Sequence, residues 1–284
     1  MRVLITGGGG FIGRHLVSDQ LRREHDVTAI DLHTDALQPL ADNPALCIVE
    51  GDFTDAGLLD PLLHDQDVCF HLASAHLETG VDDSYFWRVN VDSTRQFVER
   101  CHQAGVSRFV HCSSVGVFGN IKNPPADEQT DCQPDIAYEK SKLAGERAVL
   151  QYAQQSGYRL TVLRPAWVYG PGCPRTEKLF STIEKGSFFF VGNGQTLRHA
   201  IYIDDMVHAF HLAAQKEQAV HETFIIAGPR ATTLRELVDE IARCVGTPPP
   251  RRHLPRAVVW PAVYLLETGF GVLGKEAPFT RRSL

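Results

Sequence analysis

Residues 6–13 read Thr6-Gly7-Gly8-Gly9-Gly10-Phe11-Ile12-Gly13, between the apolar run Val3-Leu4-Ile5 and a helical pattern from Phe11 to Leu21. A strand therefore feeds a glycine turn, and the turn opens a helix. Gly7 can make the tight turn, Gly10 leaves room for a pyrophosphate at the backbone, and Gly13 lets the helix pack on the strand. The free amides of the helix start then face an anion. The loop implies a dinucleotide, and with it redox chemistry.

A second apolar run, Val27-Thr28-Ala29-Ile30, ends in Asp31, 18 residues after Gly13. A carboxylate at the end of the second strand can accept hydrogen bonds from the adenosine ribose hydroxyls and repels a 2′-phosphate. The following Leu32 and His33 offer no arginine to bind one. The expected cofactor is NAD rather than NADP.

Strand-like and helix-like segments then alternate. Strands are expected at Val3–Ile5, Val27–Ile30, Leu46–Val49, Val68–His71, Phe109–Cys112 and Leu160–Leu163. Helical patterns include Thr54–Leu63, Tyr85–Ala104 and Ala137–Gln155, with Gly105-Val106-Ser107 as a helix end. This rhythm predicts an α/β fold: a Rossmann-type doubly wound parallel sheet with helices on both faces. After Arg164-Pro165 the rhythm is lost. Turns, short strands over Phe188–Ile203, a helix over Asp204–Gln215, a strand at Phe224–Ile226 and a capping-box start at Thr232–Glu236 follow. The expected organisation is a cofactor domain over 1–165, with returning segments near 199–226, and a smaller interleaved substrate lobe over 166–284.

Composition is that of a globular protein: 284 residues, 43% hydrophobic and 22% charged. A net charge of −6 argues against a nucleic-acid partner. The chain opens directly on its first strand, so no targeting segment is expected and a cytoplasmic setting is. Seven scattered cysteines without a C-x-x-C fit reduced, buried thiols and not a metal site. His71 and His111 lie in strand-like runs and are expected in the core. The apolar stretch Ala257–Leu266, resuming through Phe270, Val272 and Leu273, is shorter than a span of about 18 residues. A buried or lobe-capping helix is preferred for it over a membrane-surface helix.

Tyr138 and Lys142 are four apart on one helical face. A tyrosine hydroxyl, with a reference pKa of about 10, is a poor base. A neighbouring ammonium stabilises its phenolate, which can take the proton of a secondary alcohol as hydride leaves the carbon. Ser113 and Ser114 end the fifth strand, where a hydroxyl can donate to the substrate oxygen. Asp52 follows the third strand and can accept from an adenine amino group. Leu72-Ala73-Ser74 follows the fourth and would line the cofactor. Asn90 lies on the next helix, with bridging through its amide as the plainer role. Asp204-Asp205 opens a helix, where capping is the plainer role.

In this order the motifs resemble the extended short-chain dehydrogenase/reductase superfamily, the NAD-dependent epimerase/dehydratase family, with a 3β-hydroxysteroid dehydrogenase-like branch nearby. Thr6–Gly13, Gly51-Asp52, His71-Leu72-Ala73, Asn90-Val91, Ser113 to Gly119, Tyr138 to Lys142, Arg164 to Gly170 and Tyr202 to Asp205 carry the likeness. The resemblance implies Tyr138 as acid/base, Lys142 as its electrostatic partner, and Ser114, five before Gly119, as donor. It implies NAD contacts from Gly7, Gly10, Phe11, Ile12, Gly13, Asp31, Asp52, Phe53, Leu72, Ala73, Ser74, Asn90, Tyr138, Lys142, Pro165 and Val168. It also implies a homodimer through Tyr85–Ala104 and Ala137–Gln155. Relatives usually continue beyond the position of Leu284, so a truncated lobe is expected.

Departures from the pattern bear on the small-molecule substrate. Trp167 stands where nucleotide-sugar epimerases usually carry the Asn that contacts a diphosphate, and its indole suits a less polar ligand. Val115-Gly116 follow Ser114 where dehydratases carry Asp-Glu. Arg198 could still meet a phosphate. The expectation is an NAD-dependent oxidoreductase acting on a secondary alcohol or ketone. A UDP-glucose/UDP-galactose 4-epimerase is the alternative, and a non-catalytic NAD-sensing protein the third reading.

Overall fold

The computed structural model describes residues 1–76, 81–255, 257, 259–261 and 263. The chain runs β1 (Arg2–Thr6), α1 (Phe11–Arg22), β2 (Asp26–Asp31), β3 (Leu46–Glu50), α2 (Ala56–Leu62) and β4 (Val68–His71). It continues with α3 (Asp83–Trp87), a π-helical turn (Arg88–Ser93), α4 (Thr94–Gln103), β5 (Arg108–Cys112), α5 (Ala137–Ser156) and β6 (Leu160–Pro165). Then come β7 (Trp167–Tyr169), α6 (Pro174–Glu184), β8 (Phe190–Val191), β9 (Leu197–Arg198), β10 (Ala200–Tyr202) and α7 (Ile203–Gln215). The described elements end with β11 (Thr223–Ile226), β12 (Thr232–Thr233), α8 (Leu234–Cys244) and β13 (His253–Leu254).

Seven strands form the central sheet in the order β11-β6-β5-β4-β1-β2-β3. The pairs are parallel, with Val3 opposite Val27 on one side and Val68 on the other. The strands are short apolar runs because both faces are covered. Leu16, Val17, Met206 and Phe210 of α1 and α7 cover one face. Phe97, Val98, Val149 and Ala153 of α4 and α5 cover the other. Strand order reverses between β1 and β4, so the crevice of this doubly wound sheet lies at their carboxyl ends.

Several boundaries differ from the sequence reading. The helix expected from Thr54 begins at Ala56, because the Asp55 carboxylate caps the Gly57 and Leu58 amides. The helix expected as continuous over Tyr85–Ala104 is interrupted by the π turn. There the Thr94 hydroxyl donates to the Val89 carbonyl, five residues back, at 3.2 Å. Asp204 and Asp205 do not cap α7. Tyr202 holds the cap position, and the two acids lie in the first turn, where they complement the helix dipole. Gly105 ends its helix at φ +83° as expected. None of the seven cysteines is in a disulfide, but Cys47 and Cys244 are exposed rather than buried.

Two compact units divide the chain, 1–168 with 201–227, and 169–200 with 228–284. The second has its own core of Ile183, Phe190, Val238, Ile241 and Ala242. Its α8 starts on the expected capping box, Thr233 with Glu236. The apolar tail expected to form a final helix lies largely outside the described residues. Among the described residues no helix is long and apolar enough to cross a membrane.

Candidate active site

The glycine loop is fixed by contacts on three sides. Gly7 has φ +73°, and a Cβ there would lie 2.6 Å from Ala73 N, so the loop after β1 touches the loop after β4. A Cβ on Gly13 would lie 2.0 Å from the Gly7 carbonyl oxygen. Gly9, outside the expected three-glycine spacing, is equally constrained: its Cβ would lie 2.0 Å from the His33 carbonyl oxygen. Gly10 differs from these. A Cβ there would meet only the Gly7 oxygen, at 3.2 Å, and Gly10 begins α1 with no side-chain cap. The outer surface of the loop therefore presents uncapped helix amides, beside Phe11 and Ile12, to an anion.

Asp31 is already oriented toward this loop. Its carboxylate accepts from Gly9 N at 3.0 Å and His33 N at 3.1 Å. Beneath the loop the polar groups are serially paired. Ala73 N donates to Thr6 Oγ1 at 3.3 Å, and Thr6 Oγ1 meets His71 Nδ1 at 2.7 Å. His71 Nε2 meets Thr94 Oγ1 at 3.1 Å, whose hydrogen goes to Val89 O. The chain of donors assigns the Nε2–H tautomer to a neutral His71. Burial, then the Lys142 charge, lowers its pKa to about 3. Both histidines are in the core, as expected. His111 is lowered well below the usual histidine range for the same reasons, with His71 adding to them.

α5 presents Tyr138, Lys142 and Glu146 at four-residue intervals on one face. The Lys142 ammonium is buried and donates to the Cys112 carbonyl at 2.7 Å, at the end of β5. Burial lowers its pKa, while Cys112 and Glu146 act against that shift. The two serines have separate tasks. Ser113 is buried and donates to Glu146 Oε2 at 2.6 Å. Glu146 is held in turn by two bonds from Arg164, at 2.5 and 3.1 Å. Ser114 is half-buried and caps the turn Val115–Phe118 by accepting from Gly116 N at 3.1 Å, which leaves its hydroxyl hydrogen out of that bond.

Asn90, expected among the cofactor contacts, is committed to the protein. Its amide bonds both backbone groups of Ala75, at 2.8 and 3.0 Å, and Ser141 Oγ at 3.0 Å. Ser141 Oγ donates to the Tyr138 carbonyl at 2.7 Å. The bridging role read as the plainer one is the role the geometry supplies. Next in chain, His76 places its ring 5.0 Å from the Tyr138 ring, between centroids. Phe86 flanks Tyr138 at 6.4 Å. The sequence reading missed His76, Gly9 and the Glu146–Arg164 pair. Only Glu146 left a signal there, its position one turn beyond Lys142.

The other expected contacts are mixed. Leu72, Ala73 and Ser74 are half-buried after β4, at the crevice edge. Asp52 is exposed and accepts from Thr54 N at 2.8 Å. The Phe53 ring is buried in the core against His71 and Phe97, so its side chain does not line the crevice. Pro165 and Val168 are buried where β6 ends and β7 begins. Trp167 is half-buried, and its Nε1 is buried with no hydrogen-bond partner among the described residues. Arg198 belongs to the second unit, in β9, where its Nη1 meets the Leu197 carbonyl at 3.3 Å.

Comparison with known proteins agrees with this architecture. Residues 3–227 match the NAD dependent epimerase/dehydratase family. The chain is 30% identical over 271 residues to the decarboxylating sterol-4-alpha-carboxylate 3-dehydrogenase of Mus musculus, covering 92% of this chain and 72% of that one. It spans 58% of the length of the human enzyme of the same name. It is 32% identical to a UDP-glucose 4-epimerase of Mycolicibacterium smegmatis, covering 90% of this chain and 87% of the other. Among solved structures, UDP-glucuronic acid 4-epimerase from Bacillus cereus with NAD superposes at a TM-score of 0.81, with 26% identity over 90% of this chain and 88% of that one. The chain thus belongs to the NAD-dependent epimerase/dehydratase family of extended short-chain dehydrogenases/reductases.

Proposed function

We infer that the protein is an NAD-dependent dehydrogenase/reductase of secondary alcohols or ketones of moderate polarity. The observation that carries this is Trp167. An indole stands at the sugar-diphosphate position, and its buried Nε1–H has no partner among the described residues. A buried donor without a partner is costly, and a ligand oxygen would remove that cost. Its apolar face suits a ring system better than a diphosphate.

The residues fit the cofactor. The uncapped start of α1 would hold a pyrophosphate, and the Asp31 carboxylate beside it would accept from the adenosine ribose. When bound, NAD supplies the hydride acceptor. Ser114 donates to the substrate oxygen and Tyr138 takes its proton. Lys142 stabilises the phenolate by its charge. The second unit forms the substrate lobe, and pairing of Tyr85–Ala104 and Ala137–Gln155 between two copies makes a dimer.

A 4-epimerase is the second reading, favoured by the likeness to UDP-glucose 4-epimerase over 90% of the chain. Cofactor handling separates the two. A dehydrogenase exchanges NAD during purification; stoichiometric retained NAD, seen by mass spectrometry of the released cofactor, would contradict the first reading.

A further inference from the structure

We propose that His76 is a second proton-transfer group of the active site, carrying the proton of Tyr138 to and from solvent. The inference rests on the Ser114–Tyr138–Lys142 reading and adds a residue to it. Oxidation of an alcohol leaves one proton on Tyr138 at every turnover. Lys142 is buried and directed at the Cys112 carbonyl. Ser113 is tied to Glu146, and Ser114 accepts from the Gly116 amide. The exposed imidazole of His76 lies against the Tyr138 ring, at 5.0 Å between centroids with 51° between planes. A histidine is the side chain whose ordinary pKa lets it accept and release a proton near neutral pH.

The placement is built into the fold. His76 follows Ala75, whose N–H and C=O are both held by the Asn90 amide. The same amide reaches Ser141, and Ser141 donates to the carbonyl of Tyr138 itself. Asn90, Ser141 and Ala75 are all at most 2% exposed. The clamp therefore sets the backbone before His76 against the first turn of the helix that carries Tyr138.

The step balances as follows. The carbinol O–H breaks and its proton joins the Tyr138 oxygen. The carbinol C–H breaks, its electron pair leaving as hydride to the nicotinamide, and the C=O bond forms. The Tyr138 O–H then breaks, its proton joins one imidazole nitrogen, and the other nitrogen releases a proton to water. Reduction runs the same steps backward.

The test needs no substrate. The ultraviolet phenolate absorbance of Tyr138 is isolated as the difference between the NAD complexes of the wild type and Tyr138→Phe. Its relaxation is followed after a temperature jump in dilute buffer. In His76→Ala and His76→Gln the relaxation slows by about tenfold or more, and added imidazole restores it in His76→Ala. A relaxation unchanged by either substitution, or a slowing that imidazole does not reverse, overturns the relay. Absence of any difference signal between wild type and Tyr138→Phe overturns the Tyr138 assignment, and the relay with it. A rescued rate in His76→Ala excludes a purely structural role, because free imidazole does not restore a backbone position.

Discussion

The Asn90 side-chain amide donates to the Ser141 hydroxyl at 3.0 Å, joining the π turn after α3 to α5 while also holding Ala75. Replacing Asn90 by Leu takes a partner from three buried groups: Ala75 N–H, Ala75 C=O and the Ser141 hydroxyl. Unmade buried hydrogen bonds cost about 1–3 kcal/mol each, so a loss of at least about 2 kcal/mol is expected. Urea unfolding of wild type and variant measures it. A change below experimental error would show that the clamp adds nothing.

The close approach of the Asn90 backbone to α5 explains Gly145. A glycine inside a helix is ordinarily about 1 kcal/mol worse than alanine. Here a Cβ would lie 1.9 Å from the Asn90 carbonyl oxygen. Gly145→Ala is expected to destabilise, opposite in sign to its helix propensity. Thermal unfolding gives the sign directly.

Glu146 and Arg164 form a buried ion pair, at 1% and 8% side-chain exposure, that also fixes Ser113. Glu146→Leu leaves a buried unpaired guanidinium and is expected to cost about 3–5 kcal/mol. Adding Arg164→Met removes that charge, so the double variant is expected to recover much of the loss. A double-mutant cycle of unfolding free energies reads the coupling; additive losses would mean the pair is not a unit.

Two buried histidines contribute to the loss of stability in acid. His71 is lowered from 6.5 to about 3 on folding, and His111 is lowered as well. The unfolded chain then binds protons that the folded chain refuses. The His71 contribution is complete above pH 6.5 and declines as pH falls toward 3, by up to about 1.4 kcal/mol per pH unit, and His111 acts in the same direction. Neither ring nitrogen of His111 has a partner among the described residues. His111→Leu therefore removes no hydrogen bond, and its unfolding free energy should fall less steeply with acid. An identical slope in the variant would remove His111 from this account.

Asp31 holds the glycine loop through its bond from Gly9 N, and in the proposed function it is also the ribose acceptor. Asp31→Ser is expected to weaken NAD binding by roughly tenfold or more, without creating NADP binding, because no arginine follows it. Calorimetric titration with both dinucleotides checks this. Tight NADP binding by the variant would contradict it.

The sheet was legible because each of its first six strands is a short apolar run between turn signals, and burial on both faces leaves no alternation to misread. Gly7 and Gly13 were legible from spacing. Gly9 was not, since its constraint is the His33 carbonyl, which belongs to a different strand end. The π turn was hidden because Tyr85–Ala104 keeps helical periodicity, and the bridge from Asn90 in that turn to Ala75 and Ser141 is a tertiary contact that periodicity does not carry. Phe53 followed a motif position, yet its ring joined the core because His71 and Phe97 receive it. His76 carried no signal, as a lone exposed histidine in a loop resembles any other.

The central claim is net hydride transfer from a secondary alcohol of moderate polarity through Tyr138. The most direct measurement supplies NAD with a 3β-hydroxysteroid and records NADH absorbance, with UDP-glucose in a parallel reaction. The account predicts NADH from the steroid, reduced at least about 100-fold in Tyr138→Phe. Interconversion of UDP-glucose and UDP-galactose without net NADH, and no oxidation of the steroid, would contradict it.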